Sequence, residues 1–264
     1  MNKVSLVLIA LICAINTTHA QDPKDAFEHG QHEFKEGSLN YRVLYPEGFD
    51  PSKKYPLVLF LHGAGERGEN NEKQLIHGSK LFLDAQNRKD FPAVVIFPQC
   101  PPDDYWANVH RPLDENGKRH FTFFKTSKKP HQSMKGLMSM VDSLSSVSHI
   151  DTERMYVMGL SMGGMGTFEL VSRMPKTFAA AAPICGGDNP KSAKKYAKKV
   201  PFWIFHGLKD DVVPPHFSQD MAKAIEAKGG KVKLTLYPNA NHNSWDPAFA
   251  EPELLPWLFS KTKQ

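Results

Sequence analysis

Residues 156–164 read Tyr-Val-Met-Gly-Leu-Ser-Met-Gly-Gly. An apolar run, Met155 to Met158, stops at a serine bracketed by Gly159 and Gly163, and helical spacing starts directly after it. A serine on so tight a strand-to-helix turn is pushed into strained backbone geometry, and its hydroxyl stands clear of the strand ends. Bulky neighbours would clash there, so small residues flank it. Ser161 is therefore a candidate nucleophile. A serine hydroxyl reacts poorly at neutral pH, so it needs a histidine to take its proton and an acid to orient that histidine. Without such partners the motif is an ordinary glycine-rich turn.

Behind a serine turn of this kind the expected chain order is acid, then histidine. Two downstream segments fit. Val200-Pro-Phe-Trp-Ile-Phe-His-Gly-Leu-Lys-Asp-Asp-Val-Val-Pro is a buried-strand pattern running into a polar turn with Asp210 and Asp211 at its tip. Only one of the two can face the histidine; the other is solvated or caps the following helix. Lys231-Val-Lys-Leu-Thr-Leu-Tyr-Pro-Asn-Ala-Asn-His-Asn-Ser-Trp is an alternating strand followed by a loop carrying His242. Both candidates follow strand C-termini, where open α/β sheets place their sites. Among twelve histidines, His242 is favoured by order, position and small polar neighbours. His206 reads as a structural part of the acid turn and His62 as locally hydrogen-bonded. His29 and His32 lack the further ligands a metal site needs, so no metal is expected.

Charge developing on a substrate oxygen needs backbone donors in a water-poor pocket. One is expected from Met162, the residue after the nucleophile. The other is expected from the loop Leu57-Val-Leu-Phe-Leu-His-Gly-Ala-Gly-Glu-Arg-Gly, at Ala64, with Gly63 or Gly65 as alternatives. No Gly-Lys-Ser/Thr follows these glycines, which argues against a phosphate-binding turn.

The surrounding pattern alternates strands and helices. Residues 21–32 read as polar and loose, and Glu33–Lys35 with Leu39–Tyr45 as an antiparallel pair through Gly37. Strands are expected at Leu57–Leu61, Ala93–Phe97, Arg154–Met158, Phe178–Ile184, Phe202–Phe205 and Val232–Tyr237. Helices are expected within Glu72–Gln86, at Gln132–Val147, from the serine to about Arg173, and at Pro215–Lys228 and Pro247–Ser260. This predicts an α/β fold, a mostly parallel sheet with helices on both faces, as one domain over 21–264. Residues 101–130 break the rhythm. Their aromatics, including Tyr105, Trp106 and Phe121, argue against disorder, and the segment starts beside the proposed site, so it reads as a lid or pocket wall. Its basic residues outnumber its acids, which leaves a carboxylate-bearing or acidic-glycan substrate open. Trp106 and Trp245 are candidate pocket residues, or else pack against the body.

The chain has 264 residues and a net charge of +5. That is not the dense basic patch of a nucleic-acid binder. Residues 1–20 read as a signal peptide: Lys3, an apolar stretch Val4–Ile15 too short to span a membrane, and Thr-His-Ala before Gln21. Its removal takes the charge to +4 and predicts an exported, periplasmic or secreted protein without an integral membrane segment. Cys100 and Cys185 then remain, either bridged or as free buried thiols.

Several stretches together resemble one group of the α/β-hydrolase superfamily. They are His62-Gly-Ala-Gly-Glu-Arg-Gly, Pro98-Gln-Cys-Pro, Gly159-Leu-Ser-Met-Gly-Gly-Met-Gly-Thr, Pro183-Ile-Cys-Gly-Gly, His206-Gly-Leu-Lys-Asp and His242-Asn-Ser-Trp-Asp. The combination is similar to the phospholipase/carboxylesterase-like hydrolases labelled "predicted peptidase", relatives of exported carboxylesterases and feruloyl-type esterases. The resemblance spans about residues 33–260 and implies an α/β-hydrolase fold with Ser161, Asp210 and His242 as the triad. His206-Gly-x-x-Asp-x-x-Val-Pro is similar to the acid turn of these enzymes, which favours Asp210 over Asp211. Asn241 stands where many relatives carry glycine. The resemblance implies cleavage of a small-molecule or glycan ester (acetyl, other small acyl or feruloyl) without a cofactor. A prolyl-oligopeptidase-like serine peptidase, or a non-catalytic glycan- or partner-binding protein on the same scaffold, are the other readings.

Overall fold

The computed structural model describes residues 22–125 and 128–263. The predicted signal peptide lies outside the described residues. Among the described residues ten strands form: β1 Glu28–Phe34, β2 Gly37–Leu44, β3 Tyr55–Leu61, β4 Val94–Pro98, β5 Val109–His110, β6 Thr122–Phe123, β7 Ile150–Leu160, β8 Ala180–Ile184, β9 Phe202–Gly207 and β10 Val232–Tyr237. Eight of them make one sheet in the order β1-β2-β4-β3-β7-β8-β9-β10. β1 and β2 run antiparallel to each other, as do β2 and β4; every pairing from β4 to β10 is parallel.

Both faces of the sheet are covered. Along β3, Leu57, Leu59 and Leu61 enter one core and Val58 and Phe60 the other. The period of two separates the faces even where every residue is apolar. The first core takes α3 (Gln132–Ser145), α4 (Met162–Arg173) and α5 (His216–Glu226), through residues such as Met134, Phe168 and Met221. The second takes α1 (Ser79–Leu83), α6 (Trp245–Phe249) and α7 (Leu254–Phe259), through Phe82, Ala248 and Leu258. α2 (Ala85–Asp90) leads into β4. Among the described residues no helix is long and apolar enough to cross a membrane.

Three local expectations are corrected. Residues 28–32 are not loose: they extend β1, whose partners run from Val43 opposite Glu28 to Gly37 opposite Phe34. Its polar residues suit an edge strand that β2 alone pairs. The helix expected within 72–86 is broken, because Gly78 adopts φ 83° against the Phe60 ring and Asp84 leaves the helix to cap α2 at Asn87 N–H, 2.9 Å away. The last helix divides into α6 and α7 around Pro252, which cannot donate an N–H to a continuing helix.

The described residues of the 101–130 segment are held by contacts. β5 and β6 pair as a two-stranded ribbon, extended by a bridge between Leu113 and Arg119. Asn108 gives both its N–H (2.5 Å) and its side-chain amide (3.1 Å) to the Glu169 carboxylate on α4. Arg173, one turn on, holds the same carboxylate at 2.7 Å. The ribbon is thus fastened to the helix that begins at the candidate nucleophile.

Backbones cross at that helix start. A Cβ on Gly163 would meet the Leu61 carbonyl, one on Gly159 the Gly163 carbonyl, and one on Gly164 the Ile184 carbonyl. Gly163→Ala should therefore cost on the order of 3 kcal/mol or more of unfolding free energy in a urea titration. Gly65→Ala, where no atom lies within 4 Å of the new methyl, should stay within about 0.5 kcal/mol or gain slightly. Equal stabilities for the two would contradict the crossing.

Candidate active site

Ser161 sits between β7 and α4 with φ 53° and ψ −116°. A positive φ is costly for a residue with a Cβ. Two hydrogen bonds hold it: Ser161 N–H donates to Ile184 O at 2.9 Å, and Met165 N–H to Ser161 O at 3.0 Å. The hydroxyl thereby meets His242 Nε2 at 2.9 Å, and His242 Nδ1 lies 2.8 Å from Asp210 Oδ2. An ionised carboxylate can only accept, so Nδ1 carries the proton and Nε2 is left to accept from the serine. Three residues spread over the chain thus form one hydrogen-bonded line.

Asp210 is the most constrained of them. Its side chain is 0% exposed. Oδ1 accepts the N–H groups of Val212 (3.0 Å) and Val213 (2.8 Å), while Oδ2 meets His242 Nδ1 at 2.8 Å and lies 3.1 Å from His206 Nε2, which also bonds Val213 O at 2.9 Å. Burial pushes this carboxyl up, but the bonds from His206 and His242, the charge of His242 and the Val213 N–H outweigh it and hold it well below the usual carboxylate range. Asp211 is exposed; its N–H is taken by Asn241 Oδ1 at 3.1 Å. His206 is more than part of a turn: it binds Asp210 directly and also meets Ser218 Oγ at 2.7 Å, and nothing in its spacing disclosed that.

Met162 is the first residue of α4, so its N–H has no helical acceptor four residues back. Ala64 opens a short 3-10 turn after β3. The peptide between Gly63 and Ala64 is held by His62. The ring Nδ1 donates to Gly63 O at 2.6 Å, and Nε2 accepts the Cys100 N–H at 3.0 Å. In a trans peptide the Ala64 N–H points opposite to the Gly63 carbonyl, hence away from the His62 ring.

The two tryptophans part company. Trp245 is half-buried and packs edge-on to His242, with ring centroids 5.5 Å apart, and against His77 at 5.1 Å. Trp106 is 0% exposed and packs against His62 and Gly166, so it is a core residue and not an open pocket wall. Its indole is too large and apolar to stay in solvent beside so well packed a turn.

Among the described residues one group could hold a metal ion: Cys185, Asp210 and His242, whose ligand atoms lie within 4.8 Å of one another. A ligating cysteine must be a thiolate, and burial pushes the Cys185 thiol far above its ordinary range. Cys100 and Cys185 are both free buried thiols. His29 and His32, three apart on β1, face opposite ways, to Asn71 and to Ser139.

The eight-stranded order, the strained serine after the central strand and the loops gathered at the parallel strands' C-termini define an α/β-hydrolase fold. The dienelactone hydrolase family model matches residues 86–253, and the chain belongs to that family. It is 26% identical over 204 residues to "Probable carboxylesterase SOBER1-like" of Arabidopsis thaliana, covering 70% of this chain and 72% of that protein. It is 40% identical over 74 residues to a bifunctional acetylxylan esterase/xylanase of Neocallimastix patriciarum, covering 28% of this chain and 11% of that one. Among solved structures, a thermostable esterase superposes with a TM-score of 0.78 at 32% identity over 90% of this chain. The chain spans 64% of that esterase's length.

Burial lowers the His62 pKa to about 4, so the ring is neutral in the fold. Between that value and the ordinary 6.5 the unfolded chain binds the extra proton. Stability is therefore full above pH 6.5 and lost as pH falls toward 4. His62→Gln should make the acid slope of unfolding free energy shallower by about 1 kcal/mol per pH unit. Urea titrations of both proteins across that window read the slope, and parallel lines would contradict a neutral buried ring.

Proposed function

We propose that the chain hydrolyses carboxylic esters through an acyl-enzyme carried on Ser161. The observation that carries this reading is the unbroken line from Ser161 Oγ through His242 to the buried Asp210 carboxylate. His242 Nε2 takes the serine proton as Oγ attacks the ester carbonyl carbon. The N–H groups of Met162 and Ala64 receive the oxyanion. Collapse breaks the bond to the alcohol oxygen, which leaves with the proton from His242. Water then attacks the acyl-serine by the same route and releases the acid. Asp210 fixes the imidazole tautomer and stabilises its cationic form. The esterase relatives support ester over amide substrates, and the leader-like residues 1–20 support a site of action outside the cytoplasm.

Ser161→Ala should lower kcat on p-nitrophenyl acetate by about 10⁴-fold or more while the circular dichroism of the fold persists. Asp210→Asn should lower it by about 10⁴-fold through the wrong tautomer, whereas Asp211→Asn should stay within about twofold. A large loss at Asp211 with retained activity at Asp210 would reverse the assignment. The rate should also fall in acid, since protonated His242 cannot accept the serine proton; a rate that stays level from neutral to strongly acidic buffer would refute the base.

A further inference from the structure

A cleft of about 280 Å³ opens between the 101–130 ribbon and α5, lined by Phe121, Phe123, Asp188, Asn189, Phe217 and Asp220 among others. It lies close to the nucleophile. Ser161 N–H bonds Ile184 O, four residues before Asp188, and four residues reach at most ~14 Å. Gly186 abuts the first turn of α4, and Gly187 abuts Phe217 and the Phe123 ring. The walls are of two kinds. Phe121 and Phe123 lie nearly parallel, 13° apart, with Phe217 edge-on at 6.1 and 5.2 Å. Against this apolar surface stand two carboxylates and an amide, with no basic side chain in the lining. Asp188 is 5% exposed, and its Oδ2 is buried without a hydrogen-bond partner. Burial pushes this carboxyl up to about 7; hydrogen bonds from Ser192 and the Asn189 N–H only partly oppose that. Such an orphaned acceptor in a cleft is what a ligand hydroxyl would satisfy.

We infer that this cleft is a subsite for a neutral pyranose ring borne by the ester substrate. A pyranose offers a C–H face to aromatic rings and several O–H donors to carboxylates, which matches both walls. A carboxylate-bearing sugar would be repelled by Asp188 and Asp220. A flat hydroxyaryl group offers one donor where the cleft holds four polar side chains, Thr122 among them. The inference rests on the reading of Ser161 as an esterase nucleophile.

The test is the ratio of kcat/KM for a methyl mono-O-acetyl-xylopyranoside, its other two ring hydroxyls free, to that for p-nitrophenyl acetate. Asp188→Ala and Phe123→Ala should each lower the ratio about tenfold, the size expected for one lost hydrogen bond or one lost stacking surface. Phe121→Ala, at a half-exposed position, provides the same readout if the Asp188 variant fails to fold. A ratio unchanged within twofold in the folded variants overturns the subsite. So does a wild-type enzyme that cleaves p-nitrophenyl acetate but not the pyranoside. A ratio that falls only when methyl 4-hydroxycinnamate replaces the pyranoside overturns the sugar as occupant. Retained turnover in Ser161→Ala would instead sink the nucleophile, a separate result from all of these.

Discussion

A carboxylate withdrawn from water at the end of β9 constrains the whole site. Asp210 is charged and its side chain fully buried, with two N–H groups on Oδ1 and the His242 and His206 rings against Oδ2. A buried charge left short of partners costs several kcal/mol, on the order of 3–5 when one partner is removed. The turn 207–213 must therefore present two N–H groups, β9 must carry His206 next to its last residue, and the loop after β10 must deliver His242. These demands also fix distances. β7 and β9 are separated only by β8, and strands lie about 4.8 Å apart, so roughly 10 Å separates the serine turn from the acid turn. A serine, an imidazole and an aspartate span that gap in hydrogen-bonded series.

For the imidazole to cross, the end of β8 must turn aside. Cys185 takes φ 40° and the chain continues through Gly186 and Gly187. Cys185 N–H bonds Phe205 O at 2.8 Å, and the preceding Ile184 carbonyl holds the Ser161 N–H at 2.9 Å. Ser218 Oγ donates to Gly186 O at 3.1 Å while meeting His206, so the acid side of the line braces the loop beside Ser161. Strain at Ser161 is thus sustained from β8, which β9 holds in turn. The glycines of the serine turn serve the same end, since side chains there would force apart backbones that must touch.

Much of this was legible in the sequence, for identifiable reasons. Buried parallel strands are unbroken apolar runs, and β3, β4, β8 and β9 each stand out as one. The strained turn shows in Gly159 and Gly163, and acid and histidine follow in order after strands. What was not legible depends on tertiary partners. β1 is polar because it is an edge, and only pairing with β2 makes it a strand. Gly78, at the start of α1, holds a left-handed conformation where the Phe60 ring occupies the place of a Cβ. The bond from His206 to Asp210 runs across a turn whose conformation no spacing rule supplies. Trp106 could be read from either side, and its place in the core depends on Gly166 leaving room on α4.

The 101–130 segment shows how composition misleads when contacts are unseen. Its surplus of basic residues suggested a surface for acidic ligands. Instead the guanidinium of Arg111 lies 3.8 Å over the Tyr105 ring, Lys128 lies 3.6 Å over Phe124, and Arg119 donates to the Arg111 carbonyl at 3.1 Å. Those cations hold the segment together, and none of them lines the cleft toward α5. The aromatic residues divide in the same way: Tyr105 and Trp106 are spent on the core, while Phe121 and Phe123 remain half-buried at the rim. Because Asn108 ties the segment to Glu169, two turns beyond the serine on α4, the rim and Ser161 are referenced to one helix, which fixes the position of one relative to the other.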